Sequence, residues 1–126
     1  MIDDSQSAAL RYDVAIGGVP AAELAAAYGT PLLAVDTGEL ELEIDRFVRA
    51  FVDRGITVAY AGKALLVTAL AELLAATPLW LDVCSLGELL TGERGGFPTA
   101  RMYFHGVAKT DDELRAIEIG RASCRE

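Results

Sequence analysis

Residues 55–90 read GITVAYAGKALLVTALAELLAATPLWLDVCSLGELL. Two short apolar runs, 56–61 and 79–83, carry the β-branched and aromatic residues that suit strands. Between them, 64–76 is rich in Ala and Leu, broken only by Thr68 and Glu72, and long enough for a mostly buried helix. After the second run, Ser85 with Glu88 three residues on forms a capping box, which opens another helix. The stretch therefore reads strand, helix, strand, helix.

The same rhythm continues on the C-terminal side. Gly95-Gly96 stops the helix, 101–105 is the next strand, and Thr110 with Glu113 caps a helix running toward Glu118. Units recurring at roughly 22 to 25 residues predict a parallel sheet with crossover helices. A doubly wound sheet and a (β/α) barrel both have this order. A closed barrel needs about 250 residues, so this α/β chain is either a small open sheet or a piece of a barrel.

On the N-terminal side, Leu40, Ile44, Phe47 and Phe51 make one helical stripe. Asp36 and Glu39 resemble a capping pair at its start, and Gly55 ends it. Before it, 31–35 reads as a short buried strand. Pro20 opens a helix that Gly29 stops, and 14–16 is a short strand ended by Gly17-Gly18. The organisation expected is a flexible segment over 1–13, a leading segment over 14–36 and the sheet-and-helix body over 37–118.

Composition narrows the function. The chain has 126 residues, 52% hydrophobic, with mean hydropathy +0.31. That is enough for one core, and apolar enough to imply faces meant to be covered by something else. A net charge of −8 repels phosphate backbones and argues against nucleic-acid binding. The start, Met1-Ile2-Asp3-Asp4-Ser5, lacks the basic and apolar pattern of a secretory signal. No apolar run is long enough to span a bilayer. Cys84 and Cys124 make no disulfide framework. These features predict a reduced, cytoplasmic protein with no membrane partner.

Residues 119–126, IGRASCRE, translate one frame of a common sequencing adapter, ATC GGA AGA GCG TCG TGT AGG GAA. They are expected to be an artefact of read-through, with the natural protein continuing past Glu118 in other codons.

Lys63 is the leading candidate for chemistry. It follows the strand over 56–61 and, by alternation, shares a face with Thr57, Ala59 and Ala61. In a barrel that face leads to the C-terminal mouth, where active sites sit. Small neighbours leave room for a flat ring. An amine shielded by apolar walls sheds its proton more readily and can form a Schiff base. The plain alternative is a solvated lysine marking a strand end. A phosphate-cradling loop is excluded, because Gly62-Lys63 has no glycine five residues before it and is followed by Ala64 rather than Ser or Thr.

Four segments in order carry a family resemblance: Gly29-Thr30-Pro31-Leu32; Ala59-Tyr60-Ala61-Gly62-Lys63-Ala64; Asp82-Val83-Cys84-Ser85-Leu86-Gly87-Glu88-Leu89; and Phe104-His105-Gly106 with Lys109 and Asp112-Glu113-Leu114. Together they resemble the N-terminal third of the diaminopimelate decarboxylase family, within the alanine-racemase-like, barrel-type pyridoxal-phosphate enzymes. The resemblance covers roughly residues 14 to 118. It implies a partial (β/α)8 TIM barrel of about three βα units, truncated. It implies pyridoxal 5'-phosphate as cofactor, an amino acid as substrate, lysine biosynthesis as the setting and a homodimeric parent. It further implies that Lys63 bonds the cofactor and that Asp82 lies near the cofactor pocket.

His105 ends the third strand and could also face the mouth. A structural histidine bonded to nearby backbone is the alternative, as a polar strand terminus is for Asp82. The cap explains Ser85 and Glu88 without catalysis, and Trp80 and Phe104 read as core. Three positions depart from the family pattern: Leu65 where Asn often follows Lys-Ala, Val107-Ala108 where Asn-Asn follows His-Gly, and Thr77-Pro78 in place of a Gly-containing turn. They leave room for an ornithine, arginine or carboxynorspermidine decarboxylase, or a racemase. A non-catalytic α/β module is the reading outside this class. The family's phosphate-binding segment and C-terminal β domain lie beyond these motifs, so this chain alone is expected to be inactive.

Overall fold

The computed structural model describes residues 14–107, 109–120 and 123–124, so the flexible segment expected over 1–13 lies outside the described residues. The chain divides into two compact units, residues 1–43 and 44–126, with the division inside one helix.

In the first unit, β1 (Ala15–Ile16) and β2 (Val19–Pro20) form an antiparallel hairpin. Gly17 and Gly18 turn it with φ of 58° and 78°, values that side chains with a Cβ rarely adopt. The strand expected over 14–16 is thus one arm of a hairpin. Helix α1 (Ala21–Tyr28) follows Pro20 directly, and the Gly29 N–H closes it on the Ala25 carbonyl at 2.9 Å. The buried strand expected over 31–35 does not form. Leu32, Leu33 and Val35 are exposed, Leu33 by 77%. An extended run becomes a strand only beside a ladder partner, and no described strand pairs with this one.

Helix α2 (Thr37–Ala50) starts where the Asp36–Glu39 pattern predicts. Asp36 Oδ1 accepts the N–H groups of Gly38 at 3.0 Å and Glu39 at 3.2 Å, while Oδ2 accepts that of Gly17 at 2.7 Å. Ile44 of the predicted stripe is buried, whereas Phe47 and Phe51 stack on each other with 41–48% of their surface exposed. A 3₁₀ turn, Val52–Arg54, and Gly55 in the left-handed conformation finish the segment.

The second unit is a repeating βα body: β3 (Ala59–Ala61), α3 (Thr68–Ala75), β4 (Trp80–Val83), α4 (Leu86–Arg94), β5 (Met102–Phe104), α5 (Asp111–Gly120) and β6 (Ser123–Cys124). The strands are parallel and neighbour each other in chain order, β3-β4-β5-β6. A doubly wound sheet reverses direction at a switch point; this one advances steadily, as a barrel does. The fold is therefore the partial barrel. Residues Ile119 and Gly120 of the adapter-like tail close α5, and Ser123 and Cys124 form β6.

The helix over 64–76 is shorter than expected. Residues 62–67 are a turn and an extended loop, with Val67 at φ −127° and ψ 159°. The Ala64 N–H bonds the Ala61 carbonyl at 3.1 Å, and the Tyr60 hydroxyl donates to the Leu65 carbonyl at 2.8 Å. Those contacts satisfy the backbone without a helical turn. The helix that remains buries Leu70, Ala71 and Leu74.

Register assigns the two faces of the sheet. Leu81, Val83, Met102 and Phe104 are buried on one face, and Leu70, Ala71, Leu74 and Leu89 of α3 and α4 complete the same core. Ala59, Ala61, Trp80, Asp82 and Tyr103 lie on the other face, where none is fully buried. Trp80, expected in the core, sits on this open face and stacks on Tyr103 at 4.6 Å between ring centroids. Its strand parity places it opposite Leu81. Phe104 is core, as expected. Arg101 clamps the turn between α3 and β4, donating to the carbonyls of Ala75 at 2.8 Å, Leu79 at 2.9 Å and Thr77.

Candidate active site

Parallel pairing aligns Ala61, Asp82 and Tyr103 across three strands. Two residues further along each chain lie Lys63, Cys84 and His105, at the carboxyl ends where a barrel keeps its active site. The strands bring these groups together from positions that are far apart in sequence.

Asp82 and His105 meet directly. The His105 Nδ1 faces Asp82 Oδ1 in a short contact, and the His105 backbone N–H donates to the Val83 carbonyl at 3.0 Å. A carboxylate can only accept, so Nδ1 carries the proton and Nε2 is left free of that bond. Nε2 lies 3.7 Å from Cys84 Sγ. The His105 side chain is thus tied to a carboxylate, not to nearby backbone.

Glu88 does more than cap a helix. Ser85 Oγ accepts the Glu88 N–H at 3.2 Å, as the capping box predicts. The Glu88 carboxylate reaches back to the Cys84 N–H at 2.8 Å, one residue before the usual partner. It also passes close to Gly62. A Cβ on that buried glycine would stand 3.1 Å from the Asp82 carbonyl and 3.4 Å from Glu88 Oε2. The Gly62 N–H uses the approach, donating to the Asp82 carbonyl at 2.8 Å. Gly62 therefore lets the start of the Lys63 loop lie against β4.

Burial pushes the Cys84 thiol above its ordinary range, and the Glu88 and Asp82 carboxylates push the same way. The positive charge of Lys63 acts against them, which places Lys63 within electrostatic reach of the sulfur. Burial also raises the Tyr60 phenol, whose proton is committed to the Leu65 carbonyl.

Lys63 itself is exposed, as is Ala59, while Ala61 is half-buried. The apolar walls expected around the amine do not enclose it among the described residues: Lys63 is exposed while Asp82 and Tyr103 on the same face are half-buried. Its small neighbours are as expected. A primary amine at a strand end, beside alanines on an open face, fits a flat aldehyde cofactor such as pyridoxal phosphate. The described residues hold no group of three or more metal-ligating side chains.

Cys84 is the member of this cluster that sequence reasoning passed over. The signal was its parity: it stands two residues after Asp82 on one strand, as His105 stands two after Tyr103 on the next.

Comparison with known proteins bears on most of the chain. Residues 37–125 match the family model described as pyridoxal-dependent decarboxylase, pyridoxal binding domain. The diaminopimelate decarboxylase of Bacillus subtilis is 42% identical over 111 residues, which is 86% of this chain and 25% of the relative. That of Actinosynnema pretiosum is 41% identical over 106 residues, 84% of this chain and 24% of the relative. Among solved structures, AQ1208 from Aquifex aeolicus superposes with a TM-score of 0.78 at 31% identity, over 87% of this chain and 27% of that one. The diaminopimelate decarboxylase of M. jannaschi gives 0.71 at 33%, over 78% and 24%. The chain spans about a quarter of the length of the curated relatives it matches.

Proposed function

The chain belongs to the pyridoxal-dependent decarboxylases through their pyridoxal binding domain, and from that premise we propose that the whole protein converts meso-diaminopimelate into L-lysine and carbon dioxide with pyridoxal 5'-phosphate. The observation that carries this reading is an exposed lysine at the mouth of a parallel sheet, in a chain 42% identical to a diaminopimelate decarboxylase over 86% of its length. The body over 37–118 is the cofactor-holding part. The whole protein acts as a cytoplasmic homodimer. No helix among the described residues is long and apolar enough to cross a membrane.

Lys63 holds the cofactor through Nζ. Ala59 and Ala61 keep the adjoining face low enough for a planar ring. Asp82 fixes the His105 ring, so that the pair borders the cofactor with one defined tautomer. When bound, pyridoxal phosphate supplies an electron sink for the charge left as carbon dioxide departs.

Reduction of the chain with borohydride in the presence of pyridoxal phosphate, followed by peptide mapping, tests the anchor. The label is expected on Lys63 and absent from Lys63→Ala. The other lysine, Lys109, is a built-in control, since its Nζ donates to the Gly106 carbonyl at 2.9 Å. Label confined to Lys109 or the N-terminal amine would overturn the assignment. For the whole protein, carbon dioxide release from meso-diaminopimelate should exceed that from ornithine or arginine; the reverse order would remove the substrate reading while leaving the anchor intact.

A further inference from the structure

The loop that carries Lys63 is fastened on both sides of that residue. Before it, the buried Gly62 donates its N–H to the Asp82 carbonyl at 2.8 Å. Next, the Ala64 N–H closes a turn on the Ala61 carbonyl at 3.1 Å. Beyond it, the Tyr60 hydroxyl donates to the Leu65 carbonyl at 2.8 Å. Lys63 and Ala64 are themselves exposed, so the amine is placed by what holds its neighbours. Resting on the reading of Lys63 as the cofactor anchor, we infer that Tyr60 is a positioning residue for that anchor: its hydroxyl clips the loop through Leu65 and fixes where the Lys63 amine stands.

Tyr60 does this without touching the cofactor. It pairs in register with the fully buried Leu81, and strand alternation turns both toward the helices, away from the face of Ala59 and Ala61. From that side the hydroxyl reaches past the end of β3 to the loop. The clip uses a backbone carbonyl and does not depend on the Leu65 side chain. Burial raises the phenol above its ordinary 10.0, so the donor keeps its proton at neutral pH and on the mildly alkaline side.

The effect on cofactor binding follows from populations. A loop that leaves this geometry part of the time presents the amine correctly placed only for the remaining fraction. The apparent affinity for the cofactor falls by that fraction.

The 126-residue chain is compared with Tyr60→Phe, which removes the oxygen and leaves the ring. Pyridoxal phosphate is titrated at neutral pH, borohydride traps the adduct, and peptide mapping reads Lys63 and Lys109 separately. In Tyr60→Phe, half-labelling of Lys63 is expected at about three- to tenfold more pyridoxal phosphate, with Lys109 unchanged. The parent brought by urea to the same unfolding free energy controls for lost stability, and should label Lys63 as it does without urea. Amide exchange without cofactor is a second measure: Ala64 should be protected in the parent and less so in Tyr60→Phe. Equal Lys63 labelling in parent and variant, an equal loss in the urea-treated parent, or an Ala64 amide that exchanges freely with Tyr60 present would overturn the inference and leave the anchor in place. A parent that carries no label on Lys63 would remove the anchor reading itself, and the inference with it.

Discussion

Asp36 shows how much one side chain can settle. Three backbone N–H groups, from Gly17, Gly38 and Glu39, converge on its carboxylate. Those from Glu39 and Gly17 lower its pKa most, against a smaller upward effect of burial, so it lies below its ordinary 3.8. A depressed carboxylate adds stability that is present above the unfolded pKa and is lost as pH falls through the folded one. The amides of Gly38 and Glu39 should therefore lose protection, measured against the intrinsic exchange rate at each pH, as pH drops below about 4. In Asp36→Asn that acid step should be missing; an unchanged step would assign it to another group. The cap was legible in the sequence because Asp36 and Glu39 have local spacing. Its bond to Gly17 was not, since the hairpin that presents that N–H is made of two-residue strands with little pattern to read. Glu113 behaves alike: bonds from the backbone and hydroxyl of Thr110 are the main causes that hold it low.

At the scale of elements, the helix boundaries obeyed their caps where caps exist. Ser85 and Thr110 each start a helix where the box predicts. Helix α3 has no side-chain cap, and its start moved from Ala64 to Thr68. Apolar composition alone cannot separate a buried loop from a buried helical turn. The packing of α3 on α4 rests on Gly95. A Cβ there would stand 2.5 Å from Ala71 Cβ and 2.7 Å from the Thr68 carbonyl. Gly95→Ala must push the helices apart, and is expected to cost about 1–3 kcal/mol. Urea denaturation reads this as a lower midpoint; an unchanged midpoint would mean that α4 moves without strain. The strand expected over 31–35 failed for the opposite reason. Its composition is right, but a strand also needs a partner that lies elsewhere.

For the whole molecule, the open sheet face carries the consequence. Trp80 and Tyr103 lie on it half-buried, and β3 is an edge strand whose Ala59 is exposed. Unpaired edges and apolar faces invite association. The chain, 13.4 kDa as a monomer, should sediment as larger species with rising concentration, and Trp80→Lys should reduce them. A monomer at every concentration would show that the face tolerates water. The same open face leaves Lys63 uncovered, so this chain should take up cofactor label without releasing carbon dioxide from meso-diaminopimelate. Turnover by the chain alone would refute that expectation.

What the sequence determined by itself was local or periodic: the βα alternation, the caps at Asp36, Ser85 and Thr110, and Lys63 at a strand end. Ordered motifs added the family. Tertiary structure alone decided which face of the sheet each residue occupies, that Trp80 leaves the core, and that Asp82, Cys84 and His105 meet. Strand register joins positions more than twenty residues apart, and no local pattern encodes which strand lies beside which. That pairing is chosen by burial of Leu81, Val83, Met102 and Phe104 against the helices, and the candidate site is what the pairing leaves on the other side.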